Sequence, residues 1–232
     1  YDYIYLGDNA RAPYGTRSFE IVYEFTLQAV NKLFEMGCHL VILACNTASA
    51  KALRSIQMND LPELDPDRRV LGVIRPTVEC IGDITQNRHV GILATSGTIK
   101  SESYPLEIHK LFPEIQVSGI ACPMWVALVE NNESQNEGAD YFIKKYIDQL
   151  LSEDPLIDTM ILGCTHYPFI QETIGELYPT VNFVNPSRIV VEEVIRVLKE
   201  NDLCAPQDAA GVRKFFASDL SDGFLSMIRK VT

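Results

Sequence analysis

Apolar runs and helical periods alternate along most of the chain. Tyr3-Ile4-Tyr5-Leu6 reads as a short strand, closed by the turn Gly7-Asp8-Asn9. From Ser18 to Met36 the apolar residues Val22, Phe25, Ala29, Leu33 and Met36 recur every three or four positions. That spacing predicts an amphipathic helix, and Gly37 suits its end. Leu40-Val41-Ile42-Leu43-Ala44 is uniformly apolar, as buried parallel strands are. A helix is expected from Asn46 to about Met58, then a strand from Val70 to Ile74 stopped by Pro76. Further strands are expected from His89 to Ala94, Val117 to Ala121, Thr159 to Gly163 and Val181 to Val184. Helices are expected to start near Ser101, Pro123, Gly138, Tyr167 and Ser187, with a polar loop at Asn131–Asn136. Strands alternating with helices predict the α/β class, with parallel sheets covered on both faces. Ligands in such sheets bind at the carboxyl ends of the strands.

The two halves align on each other. Leu40-Val41-Ile42-Leu43-Ala44-Cys45-Asn46-Thr47 matches Thr159-Met160-Ile161-Leu162-Gly163-Cys164-Thr165-His166. Val73-Ile74-Arg75-Pro76-Thr77 matches Phe183-Val184-Asn185-Pro186-Ser187, and Ile4-Tyr5-Leu6-Gly7 matches Gly119-Ile120-Ala121-Cys122. Two similar lobes follow, one with residues 1–86 and Cys45, the other with residues 87–186 and Cys164. The second half opens with the strand and turn His89 to Thr98, which has no counterpart in the first. An apolar parallel sheet does not leave a neighbouring strand position empty. The expectation is therefore a strand and helix ahead of Tyr1 in a longer protein, and here an open groove beside the first-lobe strands or disorder around Cys45, with the second lobe intact.

Charge narrows the partners. With 20 Lys and Arg against 31 Asp and Glu, the net charge is −11, so a basic face for nucleic acid or an anionic membrane is not expected. No apolar stretch approaches the length that spans a bilayer, and Tyr1-Asp2-Tyr3-Ile4 lacks the basic region of a signal peptide. None of the six cysteines forms a C-x-x-C pair, so no zinc ribbon is expected, and reduced thiols in the cytoplasm are the simplest reading.

Cys45 and Cys164 stand out, because each closes a buried strand where the next helix begins. Unpaired helix N–H groups and the helix dipole there favour thiolate, so lowered pKa values are expected. Strand-end packing is the plainer account of one such cysteine; two at equivalent places in two lobes ask for more. Opposed thiols suit inversion of a stereocentre, one removing a proton from carbon and the other returning it. No G-x-G-x-x-G and no lysine beside a phosphate cup calls for a cofactor, so none is expected, nor a metal. Tyr14, Gly15, Asn46, Thr47, Thr98 and Thr165 offer hydroxyl, amide and backbone donors suited to the carboxylates of a small acid. Helix capping is the ordinary role of the threonines. His166 stands two residues beyond Cys164 and can exchange protons with it or with a substrate amine. Glu130 and Asp8 are weaker acid/base candidates, better explained as structural or solvated residues.

These segments together resemble the glutamate racemase family of the aspartate/glutamate racemase superfamily. The likeness rests on Gly7 to Gly15, on Ala44-Cys45-Asn46-Thr47-Ala48-Ser49 and on Gly163-Cys164-Thr165-His166-Tyr167-Pro168. Ile92 to Thr95 with Thr98, and Ala121-Cys122-Pro123 leading to Leu128-Val129-Glu130, add to it in the same order. The resemblance implies two flavodoxin-like lobes with the site between them and a C-terminal return of residues 187–232 to the first lobe. It implies cofactor-independent interconversion of L- and D-glutamate, supplying peptidoglycan synthesis, with Cys45 and Cys164 as base and acid. Tyr14-Gly15, Asn46-Thr47 and Thr165-His166 would then bind substrate. The family opens with a strand ending in Asp-Ser-Gly, which this sequence lacks; it is the same element that the internal alignment finds missing. Other readings stay open: a racemase of aspartate or a related acid, a thiol hydrolase using Cys164 and His166, or a non-catalytic module that binds small acids. The oligomeric state is not set by the residues, and a homodimer stays open.

Overall fold

The computed structural model describes residues 1–206, 210–220 and 224–225. Strand β1 (Tyr3–Gly7) leads to helix α1 (Phe19–Glu35), whose N-cap Ser18 accepts a hydrogen bond from the Ile21 amide. Val22, Thr26, Val30 and Phe34 are the buried positions of α1, the four-residue stripe of a helix laid on a sheet. Strand β2 (Leu40–Leu43) follows. The long helix expected after it is broken instead into α2 (Asn46–Lys51), α3 (Leu53–Ser55), a π turn (Ile56–Asp60) and α4 (Leu61–Leu64).

Strand β3 (Arg69–Gly72) ends before the expected Ile74, and Ile74 opens helix α5 (Ile74–Ile84). Pro76 therefore lies in the first turn of α5 and does not stop a strand; a first-turn residue needs no intrahelical N–H partner. Strand β4 (His89–Ala94) is followed by α6 (Ser96–Lys100) and α7 (Ser103–Leu111). Strand β5 (Gln116–Ala121) leads to α8 (Pro123–Glu130) and α9 (Glu137–Glu153). After β6 (Thr159–Gly163) the chain makes a 3₁₀ turn (Tyr167–Ile170) before α10 (Gln171–Leu177). Strand β7 (Asn182–Val184), α11 (Pro186–Glu200) and β8 (Arg213–Ala217) complete the described elements.

All paired strands are parallel. The second-lobe sheet has the order β5-β4-β6-β7. Its centre is dry: every residue of β6 is buried, and so are Val90 to Ala94 of β4. One face packs on α8 and α9 through Trp125, Ile143, Ile147 and Leu150, the other on α5 and α7 through Val78, Ile81, Tyr104 and Ile108. The first-lobe core joins α1 to β2 and β3 through Val30, Phe34, Val41, Leu43 and Val70.

The first-lobe strands form two separate pairs, β1-β8 and β2-β3. The internal alignment equates β1 with β5 and β2 with β6. Among the described residues no strand stands between β1 and β2 as β4 stands between β5 and β6. Strand β8 was not expected; it returns the C-terminal part of the chain to β1, pairing Tyr3 with Arg213 through Gly7 with Ala217. Among the described residues no helix is long and apolar enough to cross a membrane.

Candidate active site

Cys45 is the N-cap of α2, with extended backbone, just past the carboxyl end of β2. Its carbonyl accepts the first helical bond from the Ser49 amide at 2.9 Å, and the Thr47 and Ala48 amides donate towards its thiol. Asn46 and Thr47 are buried beside it. Cys164 follows β6 in the matching place, but a turn and the 3₁₀ segment come next rather than an α-helix. The amides of Thr165 and His166 serve its thiol there, and the Thr165 side chain is exposed.

The two thiols do not have the lowered pKa expected of them. Burial pushes the Cys45 thiol up, and the Thr47 and Ala48 donors recover only part of the loss. Burial pushes Cys164 up to about 12, with the nearby Cys45 charge adding to it against the His166 and Thr165 amides. Desolvation of a thiolate at a closed strand end thus outweighs the short helix start. Cys45 of the first lobe is thus near enough for its charge to bear on Cys164 of the second.

His166 Nδ1 lies 3.7 Å from Cys164 Sγ, and its Nε2 lies 2.5 Å from Glu130 Oε1 at the end of α8. Glu130, expected to be structural or solvated, is therefore the partner of His166. Asp8 accepts from Tyr14 and pairs with Arg11. Burial raises the Asp8 carboxyl, but hydrogen bonds from Arg11, Tyr14 and Ser218 bring it below its ordinary value. Burial and the Asp8 bond raise Tyr14, which also feels the Cys45 charge.

The lobes meet through short polar contacts. Thr47 Oγ1 lies 2.9 Å from Thr95 Oγ1 and 3.3 Å from Thr98 Oγ1, and the latter two are 3.2 Å apart. The Gly97 amide donates to the Gly15 carbonyl at 2.8 Å. Both glycines are there for close approach: a Cβ on Gly97 would lie 2.7 Å from the Gly15 carbonyl oxygen, and one on Gly15 would lie 2.8 Å from Thr95 Cβ. Buried Lys51 donates to the Arg17 carbonyl at 2.6 Å, holding the far end of the Tyr14-Gly15 loop. Tyr104 of α7 donates to Asn46 Oδ1 at 2.7 Å.

Across the lobe boundary Thr47 thus meets Thr95 and Thr98, Gly15 meets Gly97 and Asn46 meets Tyr104, while Cys45 bears on Cys164, which has His166 beside it. Thr95, Lys51 and Tyr104 were not expected as part of the site. Tyr104 and Ile108 of α7, spaced as a core stripe, carry no polar signal in the sequence, and a lone lysine in a helix reads as a surface residue. Among the described residues no group of three or more His, Cys, Asp and Glu side chains could hold a metal ion.

Known proteins share this fold. The Asp/Glu/hydantoin racemase family model matches residues 2–194. The glutamate racemase of Persephonella marina is 37% identical over 224 residues, 96% of this chain and 80% of that protein. The crystal structure of a glutamate racemase from Francisella tularensis in complex with D-glutamate superposes with a TM-score of 0.87 at 32% identity, covering 97% of this chain and 81% of that one. A glutamate racemase isoform from Bacillus anthracis superposes with a TM-score of 0.90 at 30% identity, covering 99% and 84%. The chain belongs to the Asp/Glu/hydantoin racemase family and, within it, to the glutamate racemases, which are amino-acid isomerases.

Proposed function

We propose that the chain interconverts L- and D-glutamate with Cys45 and Cys164 as the paired base and acid, without a cofactor or a metal. The observation that carries this reading is the matched placement of the two thiols, each just past the carboxyl end of a buried strand, with the Cys45 charge bearing on Cys164. The thiolate of one cysteine takes the α-proton and becomes a thiol. The resulting planar carbanion accepts a proton from the opposite thiol, which becomes the thiolate, and the centre is inverted. The raised thiol pKa values suit this step, because a more basic thiolate is a stronger base towards carbon. In the direction in which Cys164 is the base, its thiol proton goes first to His166, which lies between Cys164 and Glu130. Asn46, Thr47, Thr165 and the Tyr14-Gly15 segment bind the carboxylates and the ammonium.

The product fits D-glutamate supply for peptidoglycan, and thiols that must stay reduced fit work in the cytoplasm. A thiol hydrolase has one observation in its favour, the line from Cys164 through His166 to Glu130. It gives Cys45 nothing to do.

The test is the decay of the circular dichroism of L-glutamate, beside L-aspartate, with protein dialysed against chelator and free of pyridoxal phosphate. Racemisation of glutamate is expected, lost by at least about 100-fold in Cys45→Ser and in Cys164→Ser, the scale of acid–base catalysis. Full activity in either variant, or a requirement for added zinc, overturns the reading.

A further inference from the structure

We propose that Tyr104 is a positioning residue for substrate binding: its hydroxyl orients the Asn46 amide across the lobe boundary, so that the Asn46 N–H groups are presented to the ligand. This rests on the reading of the site as a glutamate-binding one. Tyr104 is 1% exposed and Asn46 is 4% exposed, so their hydrogen bond is closed to water. A buried tyrosine hydroxyl needs an acceptor. Among the described residues Asn46 Oδ1, at 2.7 Å, is the acceptor this hydroxyl has. Turning the amide over would leave the hydroxyl proton facing an NH₂ group, so Oδ1 is held towards Tyr104 and Nδ2 away from it.

Nδ2 has no protein partner among the described residues, and it is not one of the sealed, unpartnered polar atoms. Its two N–H donors thus remain for a ligand beside Cys45. The same ring also abuts the second catalytic strand, since a Cβ added to Gly163 would lie 3.3 Å from Tyr104 Cε2. Ser103, the preceding residue of α7, donates to the Ala50 carbonyl of α2 at 3.2 Å and fixes the approach of the two helices. One side chain of the second lobe therefore touches the residue after Cys45 and the residue before Cys164.

The test is a double-mutant cycle of Tyr104→Phe and Asn46→Ala, read by titration calorimetry with D-glutamate and by the kinetics of both enantiomers. Phenylalanine keeps the ring against Gly163 and removes only the hydroxyl. Tyr104→Phe is expected to weaken D-glutamate binding and raise both KM values by up to about tenfold, with a smaller change in kcat, the scale of one lost hydrogen bond. In the Asn46→Ala background the same change is expected to have no further effect on binding. A wild-type affinity in Tyr104→Phe overturns the proposal, and so does an equal loss in both backgrounds, which would mean that Tyr104 does not act through Asn46. Partial unfolding lowers the binding stoichiometry rather than the affinity, so a reduced stoichiometry at unchanged affinity also counts against it. Wild-type protein that neither binds nor racemises glutamate removes the underlying reading instead.

Discussion

At the scale of single residues, the chemistry of the site is a contest between peptide donors and burial. Two amides reach each thiol, yet both thiols rest above their ordinary value, Cys164 at about 12 against 9.0. Site-resolved alkylation by iodoacetamide is therefore expected to be slow at neutral pH, and the Cys164 rate to keep climbing beyond pH 10. A plateau near pH 7 would mean that the donors prevail. Stability follows with a definite sign. A thiol raised on folding favours the folded state in its protonated form, so its contribution is complete below the unfolded thiol value. The contribution is lost as pH rises from 9.0 towards 12. Urea midpoints of the wild type are expected to fall over the lower part of that window by more than those of Cys164→Ala. The placement of both thiols was legible in the sequence, because a uniformly apolar strand delivers each one. The direction of their ionisation was not, because burial depends on what the other lobe contributes. Glu130 was weighed too lightly for the same reason: its meeting with His166 joins α8 to the turn after β6, 36 positions along the chain.

At the scale of elements, hydrophobic pattern gave strands β4 and β6 to the residue, and α1 to within one residue at either end. It failed where local chemistry competes with periodicity. Val73 and Ile74 extend an apolar run, but Ile74 turns into α5 because Pro76 suits a first helical turn better than a parallel strand. Strand β8, Arg-Lys-Phe-Phe-Ala, alternates neither cleanly nor apolarly, and pairing with β1 is what makes it a strand. The contact of α6 with the Tyr14-Gly15 loop is likewise invisible in the sequence, yet it closes the lobes. Gly97→Ala is expected to part that contact, since the new methyl would sit 2.7 Å from the Gly15 carbonyl oxygen. KM for glutamate should rise and kcat fall together, by about tenfold or more, given how steeply rate depends on placement. Steady-state kinetics beside a thermal melt separate this from global unfolding; unchanged kinetics would show that the loop does not position the site.

At the scale of the whole molecule, the described strands fall unevenly between the two lobes. The second has a four-stranded sheet covered on both faces, whereas the first divides its described strands into two pairs. Two-stranded ladders are weak on their own, and Tyr3, Tyr5, Ile42, Phe215 and Phe216 are exposed on them. Amide hydrogen exchange is expected to run faster in β1, β2 and β8 than in β4 and β6; equal protection would show that the first lobe is as tightly held as the second. The proposed function depends on the two lobes presenting one thiol each to opposite faces of a single carbon. That claim is tested most directly by following L-glutamate in deuterated water at low conversion, with the α-position of both enantiomers read by mass spectrometry. The account predicts that newly formed D-glutamate carries one deuterium at the α-carbon while the remaining L-glutamate keeps its protium. D-glutamate that retains the original proton, or L-glutamate labelled as fast as product forms, would point to a single base and contradict it.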